Sequence, residues 1–406
     1  MNSRLRYKHL AEPGFGDNAG HGMKKTWQIV LSACMAMLLG GCTLSNSLRP
    51  EPVASVWHSD GAATRTLFFA TDRERQGSSF DLHWGAALSC GRTEVTIPAT
   101  ALPGQNPPVK AENCDDTAAL AAFARRIRDD THAAGCDSVL LVIHGYNATF
   151  ATSLLRAGQL ALDTQWRCAT LMFGWSSEGK FDRYAADIER SGFAVSDLIG
   201  LLQALNTAGL RVDVIAHSVG ARMALGAAGA LCEQRAGVVD QMILAAADIS
   251  AEKDNDDFGH LLKRAGRCVG RTTVYASQND TALITSESLH GGVPRAGRVP
   301  LSNLQYGAGY GAVDLVDASQ APGDPTGHSY FTNSYEMARD MMWVLAGTTA
   351  AGRAAKDGPE TLTCSDGQGS SCAAGSGRYV LAVTPERAEQ RPRPIRSFWP
   401  FIFFVR

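Results

Sequence analysis

Ser138 to Ile143 is an unbroken apolar run, the pattern of a strand buried on both faces of a sheet. Comparable runs recur at Arg65–Arg73, Ala169–Phe173, Leu210–Ala216, Asp240–Ala247, Arg271–Ser277 and Ala312–Val316. Between them the periodicity becomes helical. Leu120, Phe123 and Ile127 share one helix face within Asp116–Ala133, and further helices are predicted at 151–166, 183–205, directly after residue 218, and at 334–345. Leu82 to Ala99 reads as a hairpin-forming pair with Glu94–Pro98 as its edge, and a loop follows at 103–108. Strands alternating with helices over short connections argue an α/β fold. Its central sheet is mostly parallel with helices on both faces, and its functional groups collect at the strands' C-terminal ends.

The flanks carry a different pattern. Met23-Lys24-Lys25 precedes an apolar run from Ile29 to Leu39 and then Leu39-Gly40-Gly41-Cys42. A basic start, a short apolar stretch and small residues before a cysteine describe an export signal occupying residues 1–41, with Met23 as a candidate true start. The ending is similar to a bacterial lipobox, which implies lipidation of Cys42. Thr43 in the next position then favours the outer membrane, on its periplasmic face. Residues 42–63 read as a tether, 64–346 as the folded domain, 347–378 as a Gly/Ser-rich linker, and 379–406 as a tail. The tail ends in Phe398-Trp399-Pro400-Phe401-Ile402-Phe403-Phe404-Val405, which either covers an apolar groove on the body or dips into the bilayer interface.

Composition narrows the function classes. With 45% apolar and 19% charged residues the chain can bury a large core, and a net charge of −2 leaves no electrostatic footprint for nucleic acid. Apart from Cys34 in the signal and Cys42, eight cysteines remain: Cys90, Cys114, Cys136, Cys168, Cys232, Cys268, Cys364 and Cys372. An even number in an exported chain points to disulfides. No C-x-x-C occurs, so neither zinc nor dithiol chemistry is expected, and no other metal or cofactor is required. Gly307-Ala308-Gly309-Tyr310-Gly311 precedes a strand instead of following one, which argues against a dinucleotide site.

The candidate chemistry centres on Ala216-His217-Ser218-Val219-Gly220, a G-x-S-x-G elbow with Ala for the first Gly, placed where a predicted strand turns into a helix. A serine hydroxyl is a weak nucleophile. It must project from a sharp turn within reach of a base, and its neighbours must be small because strand and helix nearly touch there. Chain order in such a site runs Ser, acid, His. Asp280 and His328 fall where that order needs them, with His328 as base and Asp280 orienting its ring. Asp248 is the rival acid, its plainer role being a helix N-cap. Asp280 too has a plainer role as a cap at Thr281-Ala282-Leu283. His260 and His290 precede the last strand and read as surface residues, while His144 shapes a loop. The oxyanion donors expected are the backbone N–H of Val219 and one from Gly145-Tyr146, with Tyr146 favoured.

Several motifs agree in order: Phe68-Phe69-Ala70-Thr71-Asp72-Arg73, His144-Gly145-Tyr146-Asn147, Trp175-Ser176-Ser177, Tyr184 with Asp187, the elbow, Asn279-Asp280, and Gly327-His328-Ser329-Tyr330. Together, over about Thr66 to Leu345, they resemble a bacterial α/β-hydrolase family of unknown function. The resemblance implies the α/β-hydrolase fold, with the elbow strand fifth in its sheet, and esterase-like serine chemistry without naming a substrate. With that fold assumed, Cys136–Cys168 and Cys232–Cys268 are the expected disulfides, and Cys90–Cys114 and Cys364–Cys372 complete the set.

The expectation is a lipid-anchored serine hydrolase acting on a small-molecule or lipid carboxylic ester. The alternatives are an acyltransferase or thioesterase using the same triad, or a non-catalytic envelope protein that keeps the body as a binding scaffold. The Trp175–Lys180 loop and the Ser286–Leu304 insertion are expected to wall the pocket.

Overall fold

The computed structural model of the chain describes residues 63–97, 108–178, 183–234, 238–252, 256–298, 309–357, 362–364 and 376–383. The expected export signal, Cys42 and its tether up to residue 62, Cys372 and with it the expected pairing to Cys364, and the aromatic chain end lie outside what is described. Among the described residues no helix is long and apolar enough to cross a membrane.

The first described element is β1 (Ala63–Gln76), which folds back through a tight turn into β2 (Ser79–Ile97), and β3 (Lys110–Asn113) pairs with the far side of β2. From there strand and helix alternate: α1 (Thr117–Ala133), β4 (Ser138–Ile143), α2 (Phe150–Asp163), β5 (Thr170–Gly174), α3 (Tyr184–Thr207), β6 (Arg211–His217), α4 (Val219–Glu233), β7 (Val239–Ala245), α5 (Asp257–Ala265), β8 (Val269–Ala276), α6 (Thr281–Leu289), β9 (Val313–Asp317) and α7 (Tyr335–Leu345). The sheet order is β10-β11-β9-β8-β7-β6-β4-β5-β1-β2-β3, with β10 and β11 introduced below. From β1 across to β9 every pairing is parallel, and the antiparallel hairpin of β1 and β2 closes one side. This is a mostly parallel sheet with helices on both faces, as the pattern of runs predicts. Residues 94–97 of the expected hairpin pair with β1, while β3 adds to the other side of β2 at Ser89–Arg92, and that extra strand makes the elbow strand sixth in chain order, not fifth.

Alternation along the strands divides the core. Val139, Leu141 and Ile143 of β4 and Val212, Val214 and Ala216 of β6 face one layer, filled by Phe123, Ile127, Leu198, Leu201, Met223 and Phe258 from α1, α3, α4 and α5. Leu140, Val142 and Ile215 face the other, filled by Phe150, Leu154, Leu160, Met337 and Met341 from α2 and α7. A sheet so covered buries its central strands completely, which is why they read as continuous apolar runs. Helix starts follow their caps: Asp116, Thr149, Asp256 and Ser334 each accept a backbone N–H from the first turn.

The fold does not stop at residue 346, where the sequence reading ended the domain. Residues 350–357 form α8 (Ala350–Asp357), and two strands, β10 (Leu362–Cys364) and β11 (Ser376–Leu381), continue the sheet, β11 lying parallel to β9. The physical reason is a buried charge. Arg353 is fully enclosed, with Nε 2.7 Å from Asp340 of α7 and Nη1 3.4 Å from Asp314 of β9. Leu362, Tyr379 and Leu381 complete the apolar layer beside it.

Three disulfides join Cys90–Cys114, Cys136–Cys168 and Cys232–Cys268. Each of these was expected. The second ties the starts of β4 and β5, and the third ties the end of α4 to the start of β8.

Candidate active site

Ser218 stands between β6 and α4 with φ 54° and ψ −120°, a backbone conformation that a side chain adopts only when its surroundings force it. Its N–H is held by the Ala245 carbonyl at 3.0 Å, and its own carbonyl accepts from Ala221 N and Asp248 N. Close packing dictates the neighbours. A Cβ on Gly220 would meet the carbonyl oxygens of His144 and Ile143 at 2.6 and 2.8 Å, so only glycine lets α4 start against β4. On the facing loop, a Cβ on Gly145 would stand 2.7 Å from Ser218 Cβ and 2.9 Å from His217 Nδ1. The two segments that carry the expected oxyanion donors, Val219 at the start of α4 and Tyr146 after Gly145, therefore meet at Ser218.

His328 lies on the loop after β9. Its Nδ1 is 2.7 Å from Asp280 Oδ2, while Asp280 Oδ1 accepts the Leu283 N–H at 2.9 Å. The two oxygens of Asp280 thus serve two partners: one caps α6 and the other meets the His328 imidazole. The loop is pressed onto its partner at Gly327, where φ is +68° and a Cβ would meet the Asn279 carbonyl at 2.6 Å. Asp324 fastens it from the other side by accepting the N–H groups of His328 at 2.7 Å and Ser329 at 2.8 Å. Burial alone would push the His328 pKa down, but the Asp280 carboxylate outweighs it and the imidazole is raised above its ordinary value. His217, next to Ser218, has its ring 4.5 Å from that of His328 and its Nε2 3.2 Å from the His328 carbonyl. Burial, aided by the neighbouring His328, holds His217 well below the usual histidine range, so it is neutral and donates through Nε2.

The remaining sequence candidates separate clearly. His144 stacks on Trp175 with centroids 5.3 Å apart, and its Nδ1 lies 2.7 Å from the Gly145 carbonyl. Burial, followed by the Arg73 charge, pushes it down to about 3, so it shapes the loop as a neutral ring. His260 and His290 are exposed. Asp248 caps no helix, since Asp256 is the cap of α5. Asp248 accepts from Tyr184 Oη at 2.7 Å and Ser286 Oγ at 2.6 Å, and Arg295 stands beside it. The carboxylate that meets His328 Nδ1 is that of Asp280.

Behind the Gly145 loop, Arg73 is buried and donates to the carbonyls of Ala148 at 2.6 Å and Asp81 at 3.1 Å. Asn147 N donates to Ser177 Oγ, which donates on to Asp187 Oδ2 at 3.1 Å. The sequence motifs containing Arg73, Ser177 and Asp187 are thus the fastenings of one loop. Sequence reasoning missed Asp324 and Arg295, neither of which stands in a motif. Among the described residues, side chains able to converge on a metal ion are Glu74, Asp81 and His83 on the first hairpin, and Glu112 with the disulfide-bonded Cys90 and Cys114. Neither group includes a residue of this site.

A sequence model of a family described as alpha/beta hydrolase of unknown function matches residues 117–344, more than half of the chain. No curated protein matches it.

Proposed function

The chain belongs to this family of α/β hydrolases of unknown function, and from that premise we propose that it is a serine hydrolase cleaving carboxylic esters through an acyl-enzyme. The observation that carries the reading is the 2.7 Å contact of His328 with Asp280 beside the strained Ser218 elbow. In this mechanism Ser218 Oγ attacks the ester carbonyl carbon while His328 Nε2 takes its proton, and the Tyr146 and Val219 N–H groups, with Gly145 shaping the loop, receive the oxyanion. Collapse expels the alcohol, which takes the proton back from His328. Water, deprotonated by the same imidazole, then attacks the acyl carbon, and the acid leaves as Ser218 is reprotonated.

The test is a fluorophosphonate probe, with the adduct located by peptide mass spectrometry in the wild type and in Ser218→Ala and His328→Ala. Labelling of Ser218 that is lost in both variants supports the mechanism. A folded wild type that takes no label overturns it and favours the scaffold alternative.

The same proposal puts the enzyme in the cell envelope, anchored through a lipid on Cys42. Support comes from the Leu39-Gly40-Gly41-Cys42 sequence and from three disulfides of the kind that persist in oxidising compartments. A lipid-modified Cys42 at the mature N-terminus, absent in Cys42→Ala, is the expected mass-spectrometric result.

A further inference from the structure

Beside the nucleophile lies a second buried charge system that acyl transfer does not use. The Asp248 N–H donates to the Ser218 carbonyl at 3.2 Å, so this aspartate adjoins the elbow. Three elements converge on its carboxylate. Tyr184 from α3 donates to Oδ2, Ser286 from α6 donates to Oδ1, and Arg295 forms an ion pair with the carboxylate, Nε standing 3.3 Å from Oδ1 without hydrogen-bonding geometry. Tyr184 also meets the oxyanion-loop Tyr146 edge on, at 5.2 Å between ring centroids. The cluster is therefore a wall of the site.

Arg295 has more donors than its surroundings use. It is 3% exposed, yet among the described residues Nε and Nη2 have no hydrogen-bond partner. The carboxylate it faces is already shared with two hydroxyls. Leaving guanidinium N–H groups unpaired in a buried place is costly, and the backbone holds the residue there regardless. Ser250 and Arg295 form a β-bridge, Ala296 N donates to Ile249 O, and Gly297 N donates to Ala247 O, each of the last two at 2.9 Å. Gly297 passes so close that a Cβ would stand 2.3 Å from the Ala246 carbonyl carbon. A rigidly held guanidinium with unused donors beside a nucleophile has the character of an anion receptor.

We propose that Arg295 receives an anionic group of the substrate, a carboxylate or a phosphate a few bonds from the scissile carbonyl, which makes the substrate a charged, polar ester and not a neutral long-chain one. This rests on the serine-hydrolase reading above.

The purified full chain is assayed with matched esters. para-Nitrophenyl hemisuccinate is compared with para-nitrophenyl valerate for an anion on the acyl side. para-Acetoxybenzoate and para-acetoxyphenyl phosphate are compared with para-acetoxybenzamide for an anion on the alcohol side. In at least one set the anionic ester is expected to exceed its neutral partner in kcat/KM on the order of tenfold or more. That preference is expected to vanish in Arg295→Gln and to survive in part in Arg295→Lys. Equal rates across every set in the wild type overturn the proposal without needing any variant, as does a preference that persists in Arg295→Gln. Failure of the underlying reading is distinct: no ester of any set is turned over and Ser218 takes no fluorophosphonate.

Discussion

The two oxygens of Asp280 do different work, so two substitutions separate the site from the fold. Oδ1 caps α6 through the Leu283 N–H at 2.9 Å, and Oδ2 meets His328 Nδ1 at 2.7 Å. Asparagine is as good a cap as aspartate. In Asp280→Asn the carbonyl oxygen keeps the cap and the NH₂ group turns to His328. Nδ1 must then accept, which places the ring's proton on Nε2 and leaves no lone pair there for the serine proton. The rate of fluorophosphonate incorporation at Ser218 is expected to fall on the order of 10³–10⁴-fold, the cost of the same tautomer error in a serine-protease triad, with Tm nearly unchanged. Asp280→Ala loses the rate and the cap together. The cap is worth about 1 kcal/mol, a fall of roughly 2 °C in a domain of this size. The pH profile carries an independent check. Burial opposes protonation of His328, but Asp280 outweighs it and raises the pKa. The base must be neutral to act, so in the wild type labelling is lost as pH falls through a midpoint above the ordinary histidine value of about 6.5. Without the carboxylate that midpoint moves down. Wild-type labelling by Asp280→Asn would refute the acid assignment, and equal Tm values for the two variants would refute the cap.

Gly145→Ala drives a methyl group to within 2.7 Å of Ser218 Cβ; the loop must shift, and labelling should slow by about 10²-fold while circular dichroism stays unchanged. Asp213 is buried and its carboxyl, pushed up to about 7 chiefly by that burial and then by Asp240, prefers to be neutral in the fold. Its contribution is therefore full below about pH 4 and is lost as pH rises through about 7, so Asp213→Asn should gain stability over the wild type by about 1–4 kcal/mol across that window, measured as Tm at about pH 5 and about pH 8. An unchanged difference in Tm between those two conditions would rule this out. Replacing Cys136 and Cys168 by serine opens a loop of sequence separation 32 and should cost about 3–4 kcal/mol by chain entropy, read from denaturant midpoints without reductant.

The elbow and the Asp280–His328 pair were legible because each rests on local pattern. A strand turning into a helix of small residues marks Ser218, and chain order then places the other two. The loop fastenings were legible only as motifs, since nothing about Arg73 or Asp187 in sequence says that one reaches the Ala148 carbonyl and the other Ser177. The C-terminal strands were hidden by their shortness. In β11 the buried side chains are Tyr379 and Leu381, set among glycine and serine, and its partner β9 lies some sixty residues earlier. What places that segment in the fold is Arg353 between Asp340 and Asp314, an arrangement no local window contains. The cap offered as the plainer role of the rival acid Asp248 goes to Asp256 instead, and the true partners of Asp248 were hidden for the same reason, since they lie on α3, on α6 and in the 293–298 segment.

A common device runs through these interactions. Each segment that approaches Ser218 is fastened by a buried or, at Asp324, half-buried charge that binds backbone groups or hydroxyls instead of packing apolar side chains. Arg73 holds the Ala148 and Asp81 carbonyls, Asp187 holds Ser177 and the Glu178 N–H, Asp324 holds the His328 loop, and Asp248 holds Tyr184 and Ser286. Burying such groups costs desolvation that apolar packing would avoid. In return, directional bonds fix position where apolar contacts would let a loop slide, and a site of this chemistry tolerates little displacement. On this argument Arg295 is the informative exception. Arg73 too leaves its Nε without a hydrogen bond, but it spends both Nη groups on backbone carbonyls, whereas Arg295 is held as firmly and among the described residues keeps both Nε and Nη2 without a hydrogen-bond partner. A fastening spends its terminal donors on the protein; a receptor leaves them for what it binds.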